Sequence, residues 1–451
     1  MIDTYIFNAH VFVFEPFPHY AYGLAIQHGK IAKIVYTYEE LPARHYYDAE
    51  GAYIYPGIID AHCHLKASMS NSIIIPASIT SVDAFLQFAQ TFSSKEWVTF
   101  NSYDPTRFGP LSKQILNEID CPVRVRHVTR HGSYFNQLAL DQLHVPDSPS
   151  VMFQEQEGIY YGADAYISRQ INTHLEDSFF INKIPALEQH LLSYGITSVQ
   201  DATPNVSQKD KGLFNKWCID THFIEQKIVM EQHETVYPDT ETLSALFEQH
   251  NHFAIHVVTP EMLWTVLHAY ESSMRKPVIR LEHFSLCPEA FLPDVIRHQF
   301  HIVTNPSFIY EHGDRYLRNV ENSEQKWLYL VKDLLDSQLI VAAGSDAPVA
   351  SYNPFQSMYA AHTRRTQTNQ SVNDSQCVSR IEMLKMHTVY SAFVGRYGDS
   401  KGSLSQGYDA DFFMTATDLL HCPPSMLLQA QVNETWINGS RRFNRKDSSN
   451  G

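Results

Sequence analysis

The chain has little of what would set it apart from an ordinary enzyme. Its six cysteines, Cys63, Cys121, Cys218, Cys287, Cys377 and Cys422, are scattered and form no Cys-x-x-Cys pair. That pattern argues against a disulfide framework and suits free thiols in a reducing compartment. No apolar run approaches the roughly 20 residues that span a bilayer. Positive charge is scarce: 34 Lys and Arg stand against 49 Asp and Glu, a formal net charge of −15. Such a balance argues against nucleic acid or an anionic membrane surface as a partner. Internal repeats and low-complexity tracts are absent, and Met1-Ile2-Asp3-Thr4 lacks the basic start of a signal peptide. The expectation is a soluble, cytoplasmic protein that acts on a small molecule, with a homo-oligomer left open.

What is present fits that class. At 451 residues, 44% hydrophobic and 18% charged, the chain exceeds one ordinary core. Tyr (25), Phe (26) and His (24) are frequent. Most of them are expected in core or half-buried positions, so each candidate ligand needs its own case.

Residues 1–54 read as short strands at Thr4–Phe7, Val11–Phe14, Gly23–Ile26 and Lys30–Val35, with a tight hairpin turn at His28-Gly29. The C-terminal end repeats this character at Gly402–Leu404, Gly407–Met414 and Val432–Gly439, and the polar Arg445–Gly451 is expected to be disordered. Two β-rich ends suggest one small sheet domain drawn from both termini, residues 1–55 with 396–451. Between them, apolar strands at 196–199, 226–230, 253–258, 278–281, 301–304 and 339–343 alternate with helical runs such as 240–250, 260–274 and 288–298. That alternation implies a parallel sheet covered by helices, and at this length a (β/α)8 barrel over 56–395. Residues 66–190 break the rhythm and read as an insertion near the barrel mouth.

The most informative stretch is Tyr55-Pro56-Gly57-Ile58-Ile59-Asp60-Ala61-His62-Cys63-His64. It reads as a buried strand ending in two histidines. Side chains two apart on a strand share a face, so His62 and His64 project together and Cys63 points away. Paired imidazoles at a strand end suit a borderline metal such as zinc. Downstream, Lys227, His256, His283 and Asp346 each close a candidate strand. In a barrel the C-terminal strand ends form one face, so these residues would converge there. Each alone has an ordinary explanation; their joint appearance at strand ends is what points to a metal centre. Asn305, His312 and Arg315, which follow the strand at 301–304, are substrate-contact candidates by position, although a surface role is the simpler expectation.

His-x-His followed by Lys, His, His and Asp resembles the amidohydrolase superfamily. The finer match is to the branch of the N-substituted formamide deformylases. Pro56–Leu65 resembles its first barrel strand and Arg130–Leu140 its substrate-side segment. Gly195–Ala202, Gly344–Val349 and Gly402–Phe412 match further motifs. The resemblance implies an α/β fold: a distorted (β/α)8 TIM barrel with a β-sandwich formed by both termini. It implies His62, His64, Lys227, His256, His283 and Asp346 as metal ligands, with Lys227 carboxylated so that it can bridge two divalent ions. Zinc comes first, with iron, manganese or nickel compatible. It also implies a metal-bridging hydroxide as nucleophile, Asp346 as base and then acid, His131 as a second donor and Asn136 on the substrate side. The chain departs from the family at Glu231-Gln232, where Asp-Gly is usual, and at Thr259-Pro260, where Gly-Asp is usual. Both lie near the substrate side.

The implied reaction is hydrolysis of a non-peptide carbon–nitrogen bond, a linear amide first. A second reading is a mononuclear deaminase of the same fold, with one ion on His62, His64, His256 and Asp346. A third is a non-catalytic scaffold, which typically loses ligands that this chain keeps.

Overall fold

A computed structural model describes residues 1–448 except 71, 77, 93–96, 129–131, 146–150, 164–165, 169, 172–176, 205, 226 and 229–238. The chain forms two compact units. One comprises Met1–Leu65, Pro185–Met230 and Asp239–Gly451, the other Lys66–Ile184 with Glu231–Pro238. No helix among the described residues is long and apolar enough to cross a membrane.

Among the described residues, the larger unit has eight parallel strands in two sheets. Three form one sheet: β1 (Ile58–Cys63), β2 (Ile196–Asp201) and β3 (Asp220–Phe223), with β2 in the middle. Five form the other in chain order: β4 (Lys227–Ile228), β5 (His252–Val257), β6 (Val278–His283), β7 (His301–Thr304) and β8 (Val341–Ala343). This is the TIM-barrel-like α/β pattern expected from strand–helix alternation. β1 and β2 are buried at every position, as strands covered on both faces are. Of the expected strand at 226–230, only Lys227–Ile228 lies among the described strand residues. β3 was not anticipated; Asp220-Thr221-His222-Phe223 is half-buried throughout and shows no apolar run. Between strands, the helix Pro260–Ser272 starts where Thr259 caps it with Pro260 at its first position, a favoured N-terminus.

Two further sheets belong to this unit, the first from the N-terminal end alone and the second from both chain ends. Lys30–Val35, Gly23–Gln27, Ile2–Phe7 and Ala43–Asp48 make one. Ser440–Asn444, Val432–Ile437, Phe412–Thr415, Tyr53–Pro56, His10–Val13 and His19–Ala21 make the other. Ile6, Leu24 and Ile31 from the first share a core with Val11, Ile54, Phe412 and Trp436 from the second. The expected hairpin turn is present: His28 and Gly29 have φ of 52° and 75°, the two positive values of a type I′ turn. Arg445–Ser448 is a short helix rather than a disordered tail, tied back by Arg445 Nε donating to the Val432 carbonyl at 2.7 Å.

Pro56-Gly57 joins the terminal sheet to β1. The Gly57 N–H donates to the Asp411 carbonyl at 2.9 Å. A Cβ there would lie 2.2 Å from Thr197 Oγ1 and 2.9 Å from its Cβ, so no larger residue fits. Gly57→Ala is expected to destabilise the protein by about 1–3 kcal/mol through overpacking. Thr197→Ala in the same chain should restore part of it, as read by the denaturant midpoint.

The smaller unit is the segment anticipated as an insertion. It builds its own six-stranded sheet in the order Met152–Gln154, Ile159–Tyr161, Gly132–Phe135, Val123–His127, Val98–Tyr103, Ser72–Ile74. The helix Val82–Gln90, capped by Ser81, lays Phe85 against Phe100 at 5.2 Å between ring centroids. Phe85, Phe100, Tyr103 and Phe108 are buried in one cluster, which takes up part of the aromatic excess.

Candidate metal centre

Asp60, His62 and His64 alternate along the end of β1. Asp60 Oδ1 accepts from the Ser345 N–H at 2.9 Å, and its Oδ2 accepts from Ser345 Oγ at 2.6 Å. The carboxylate therefore holds the turn after β8 that carries Asp346. Burial pushes the Asp60 carboxyl up to about 6, against the opposing hydrogen bonds from Ser345 and His62. The turn is stitched to β1 a second time: the Asp346 N–H donates to the His62 carbonyl at 2.7 Å and the His64 N–H to the Ala347 carbonyl at 2.9 Å. Gly344 allows this approach, because a Cβ there would sit 2.5 Å from the His62 Cβ. Two non-glycine residues at these strand ends, His283 (φ 68°) and Asp346 (φ 56°), adopt left-handed backbone. Such conformations persist only where surrounding contacts over-determine them, and they cluster at functional sites.

His62, His64 and Asp346 each offer a ligand atom, and these atoms lie within 4.8 Å of one another. Asp346 Oδ1 is 3.4 Å from His62 Nε2 and 3.0 Å from His64 Nε2, while its Oδ2 is 4.0 Å from His283 Nδ1. The imidazoles form a row. Centroids are 5.3 Å apart for His64 and His62, 4.7 Å for His62 and His283, and 4.5 Å for His283 and His256. Burial pushes the Asp346 carboxyl up, but the His62 and His64 nitrogens and the His283 charge outweigh it and hold it well below the usual carboxylate range.

Each ring in this row whose outer partner is described is oriented from behind. His62 Nδ1 meets Glu282 Oε2 at 2.5 Å. Glu282 is fully buried, and Arg280 Nε donates to its Oε1 at 2.5 Å. Arg280 also donates to the Ala61 carbonyl at 2.5 Å and to Gln200 Oε1. Burial pushes the Glu282 carboxyl up, yet the adjacent Arg280 charge, followed by His62, holds it far below the ordinary value. His64 Nδ1 shares a hydrogen bond with Thr203 Oγ1 at 3.2 Å, and His283 Nδ1 with Asn305 Oδ1 at 2.7 Å.

This donor set fits a divalent cation. A ring nitrogen 2.5 Å from a carboxylate must carry a proton, so a neutral His62 presents its Nε2 lone pair toward Asp346. Two acceptors then face each other, and either a second ring proton or a cation must lie between them. Two imidazole nitrogens and a carboxylate suit zinc and its first-row neighbours.

The sequence-derived candidates divide as follows. The structure brings His62, His64 and Asp346 together, with His283 and His256 continuing the row. Lys227 stands on β4, paired with Ala254, and its side chain lies outside the description. His131 lies outside the described residues. Two substrate candidates have their amides engaged within the protein. Asn305 is a buried brace, its Oδ1 on His283 and its Nδ2 donating to the Gly344 carbonyl at 2.9 Å. Asn136 is a buried helix cap whose amide serves the backbone of Ile119, Cys121, Val123 and Ala139. His312 and Arg315 lie on the helix after β7. Cys63 is buried with its thiol toward the Gln200 carbonyl, away from the cluster.

Sequence reasoning missed Glu282, Arg280, Asp60 and Thr203. A signal for the first two was available: Arg280 and Glu282 are opposite charges two apart in an otherwise apolar strand, which places them on one buried face.

Comparison with known proteins follows the same line. The model of the amidohydrolase family matches residues 46–211 and 223–443. An N-substituted formamide deformylase of Arthrobacter pascens is 29% identical over 206 residues, 43% of this chain and 37% of that protein. The matched span is thus well under half of that relative's length. A Bacillus subtilis protein named as an amidohydrolase, YtcJ, is 21% identical over 86% of this chain and 88% of its own. In fold, a metal-dependent hydrolase of Pyrococcus horikoshii superposes with a TM-score of 0.78 at 19% identity, over 94% of this chain and 99% of that one.

Proposed function

The chain belongs to the amidohydrolase family, and on that premise we propose that it hydrolyses a non-peptide carbon–nitrogen bond, a linear amide first. The observation that carries this reading is the convergence of His62, His64 and Asp346 within 4.8 Å, braced by Glu282 and Thr203. We assign His62, His64, Lys227, His256, His283 and Asp346 as the ligand set, with Lys227 carboxylated. An ammonium cannot bind a cation, whereas a carbamate is an anionic bidentate bridge. The same reading makes residues 1–55 with 396–451 a composite β-sandwich beside a barrel over 56–395, and the shared core of the terminal sheets supports it.

Divalent ions held by this set supply Lewis acidity toward a carbonyl oxygen and lower the pKa of water. Asp346 takes the proton of the attacking water and returns it to the departing nitrogen, as base and then acid. Its carboxylate is ionised, and its contact with two imidazoles keeps it aimed. Glu282 and Asn305 fix the ring planes of His62 and His283. His131 is assigned as a second donor to the substrate oxygen.

A mononuclear deaminase is the second reading. It would use His62, His64 and Asp346, whose donor atoms lie within 4.8 Å of one another, together with His256. Activity against a panel of N-formyl and N-acyl amines, compared with amino-heterocycles, separates the two. The proposal predicts amide turnover that a chelator abolishes and that Lys227→Ala lowers by 100-fold or more, on the order of losing a metal ligand. Turnover of amino-heterocycles alone, unaffected by Lys227→Ala, would establish the deaminase instead.

A further inference from the structure

The helix α1 (Ser307–Asn319) follows β7 and has two different faces. One face packs against α2 (Pro354–Thr363) and its surroundings, and its polar groups are satisfied. Tyr310 meets Tyr359 edge-on at 5.7 Å. Glu311 Oε1 accepts from the Ser351 N–H and from Gln356 Nε2, and Asp314 Oδ1 accepts from Thr366 and Thr368 hydroxyls. The other stripe carries Phe308, His312 and Arg315, at the i, i+4, i+7 spacing of one helix face. Phe308 stacks parallel to His283 at 6.5 Å, and His312 packs on Phe308 at 5.0 Å. This stripe therefore starts at the imidazole row.

Arg315 ends the stripe, half-buried. Its guanidinium lies 5.8 Å from the Tyr316 ring. Tyr316 in turn shares a hydrogen bond with the Tyr329 phenol at 3.0 Å. Burial pushes the Tyr316 phenol up; Tyr329 and Arg315 pull it down, and the Asp346 charge adds to the rise, so Tyr316 is within electrostatic reach of both Arg315 and the site. Elsewhere in this unit Arg280 and Lys401 sit on carboxylates, and Arg364 donates to the Leu328, Tyr329 and Val372 carbonyls. Arg315 has no carboxylate within 4.0 Å among the described residues, in a chain with a 15-charge acidic excess. Arg315 shares the helix face of Phe308 and His312, and its guanidinium also hydrogen-bonds the Tyr316 side chain.

We propose that this stripe of α1 receives a substrate that carries a carboxylate, with Phe308 and His312 against its apolar part and Arg315 on the anion. The inference rests on the amide-hydrolase reading for the fate of the substrate. A planar guanidinium pairs a carboxylate with two parallel hydrogen bonds. One such cation balances a monoanion, whereas a dianionic phosphate would meet an acidic protein with a single counter-charge.

The test pairs N-acetyl-phenylalanine with N-acetyl-phenethylamine, and their N-formyl counterparts, which differ only by the carboxylate. The ratio of kcat/KM for acid over amine should be about tenfold or more in the unmodified enzyme, the scale of a charge-assisted hydrogen bond. It should fall to near one in Arg315→Gln through KM and be partly retained in Arg315→Lys. A ratio at or below one in the unmodified enzyme, or one unchanged by Arg315→Gln, overturns the proposal while leaving amide hydrolysis standing. Turnover of neither compound would count against the amide-hydrolase reading instead. Calorimetric binding of the same pair then decides: acid-selective binding lost in Arg315→Gln supports the anion site, and equal binding of acid and amine overturns it.

Discussion

Asp346→Asn is expected to lower kcat by about 10³-fold, within the range for loss of a general acid–base group, while the protein keeps its fold. Asparagine is the informative replacement for a physical reason. Asp346 has a φ of 56°, and Asn is among the residues that tolerate left-handed backbone. The backbone bond from the Asp346 N–H to the His62 carbonyl does not involve the carboxylate and survives. An amide of the same shape cannot accept and return a proton and is a poor anionic ligand. Asp346→Ala would confound the loss of chemistry with backbone strain. A melting temperature near that of the parent, together with the fall in kcat, is the expected pair of results.

Arg280→Met is expected to cost about 3–5 kcal/mol, the scale for removing one partner of a buried ion pair. Arg280 and Glu282 are both buried, and Arg280 donates to Glu282, Ala61 and Gln200 across three strands. Without it Glu282 is an uncompensated buried charge. Arg280→Met/Glu282→Leu should recover much of that stability, because replacing both charges with apolar groups is often neutral. The double variant still loses the carboxylate behind His62, so affinity for added zinc should fall about ten- to hundredfold although the fold is restored. Separation of the two readouts identifies Glu282 as a positioning residue for His62 rather than a purely structural one. The pH dependence has a definite sign. A carboxyl held below its unfolded value of 4.5 adds stability that is complete above that pH and is lost as pH falls through the folded value. The parent protein should therefore lose more stability on acidification below pH 4.5 than the double variant does.

Legibility in the sequence followed locality. Strands with apolar runs, such as β5 to β8, could be read because a buried parallel strand is apolar on both faces. β3 could not, because its polar residues carry no such run. The sheet within residues 66–184 was hidden for a different reason: several of its strands are short and mix polar with apolar residues, as Ser72–Ile74 and Met152–Gln154 do. At the site, the His62-x-His64 spacing and the position of Asp346 after an apolar strand could be read because both are backbone regularities, and the family resemblance joined them. The bracing roles of Asn305 and Asn136 were not legible, because an amide serves substrate or backbone equally well until its partners are known. Glu282 was hidden beside His283, although its pairing with Arg280 two residues earlier was visible.

The central claim is that His62, His64 and Asp346 are the heart of a metal centre. Elemental analysis of protein purified without chelator, set beside His62→Ala/His64→Ala, tests it most directly. At least one divalent ion per chain is expected in the unmodified protein, falling to a small fraction in the double variant, whose far-ultraviolet circular dichroism should match the parent. An unmodified protein free of metal, or a double variant that retains its full ion content, would contradict the account.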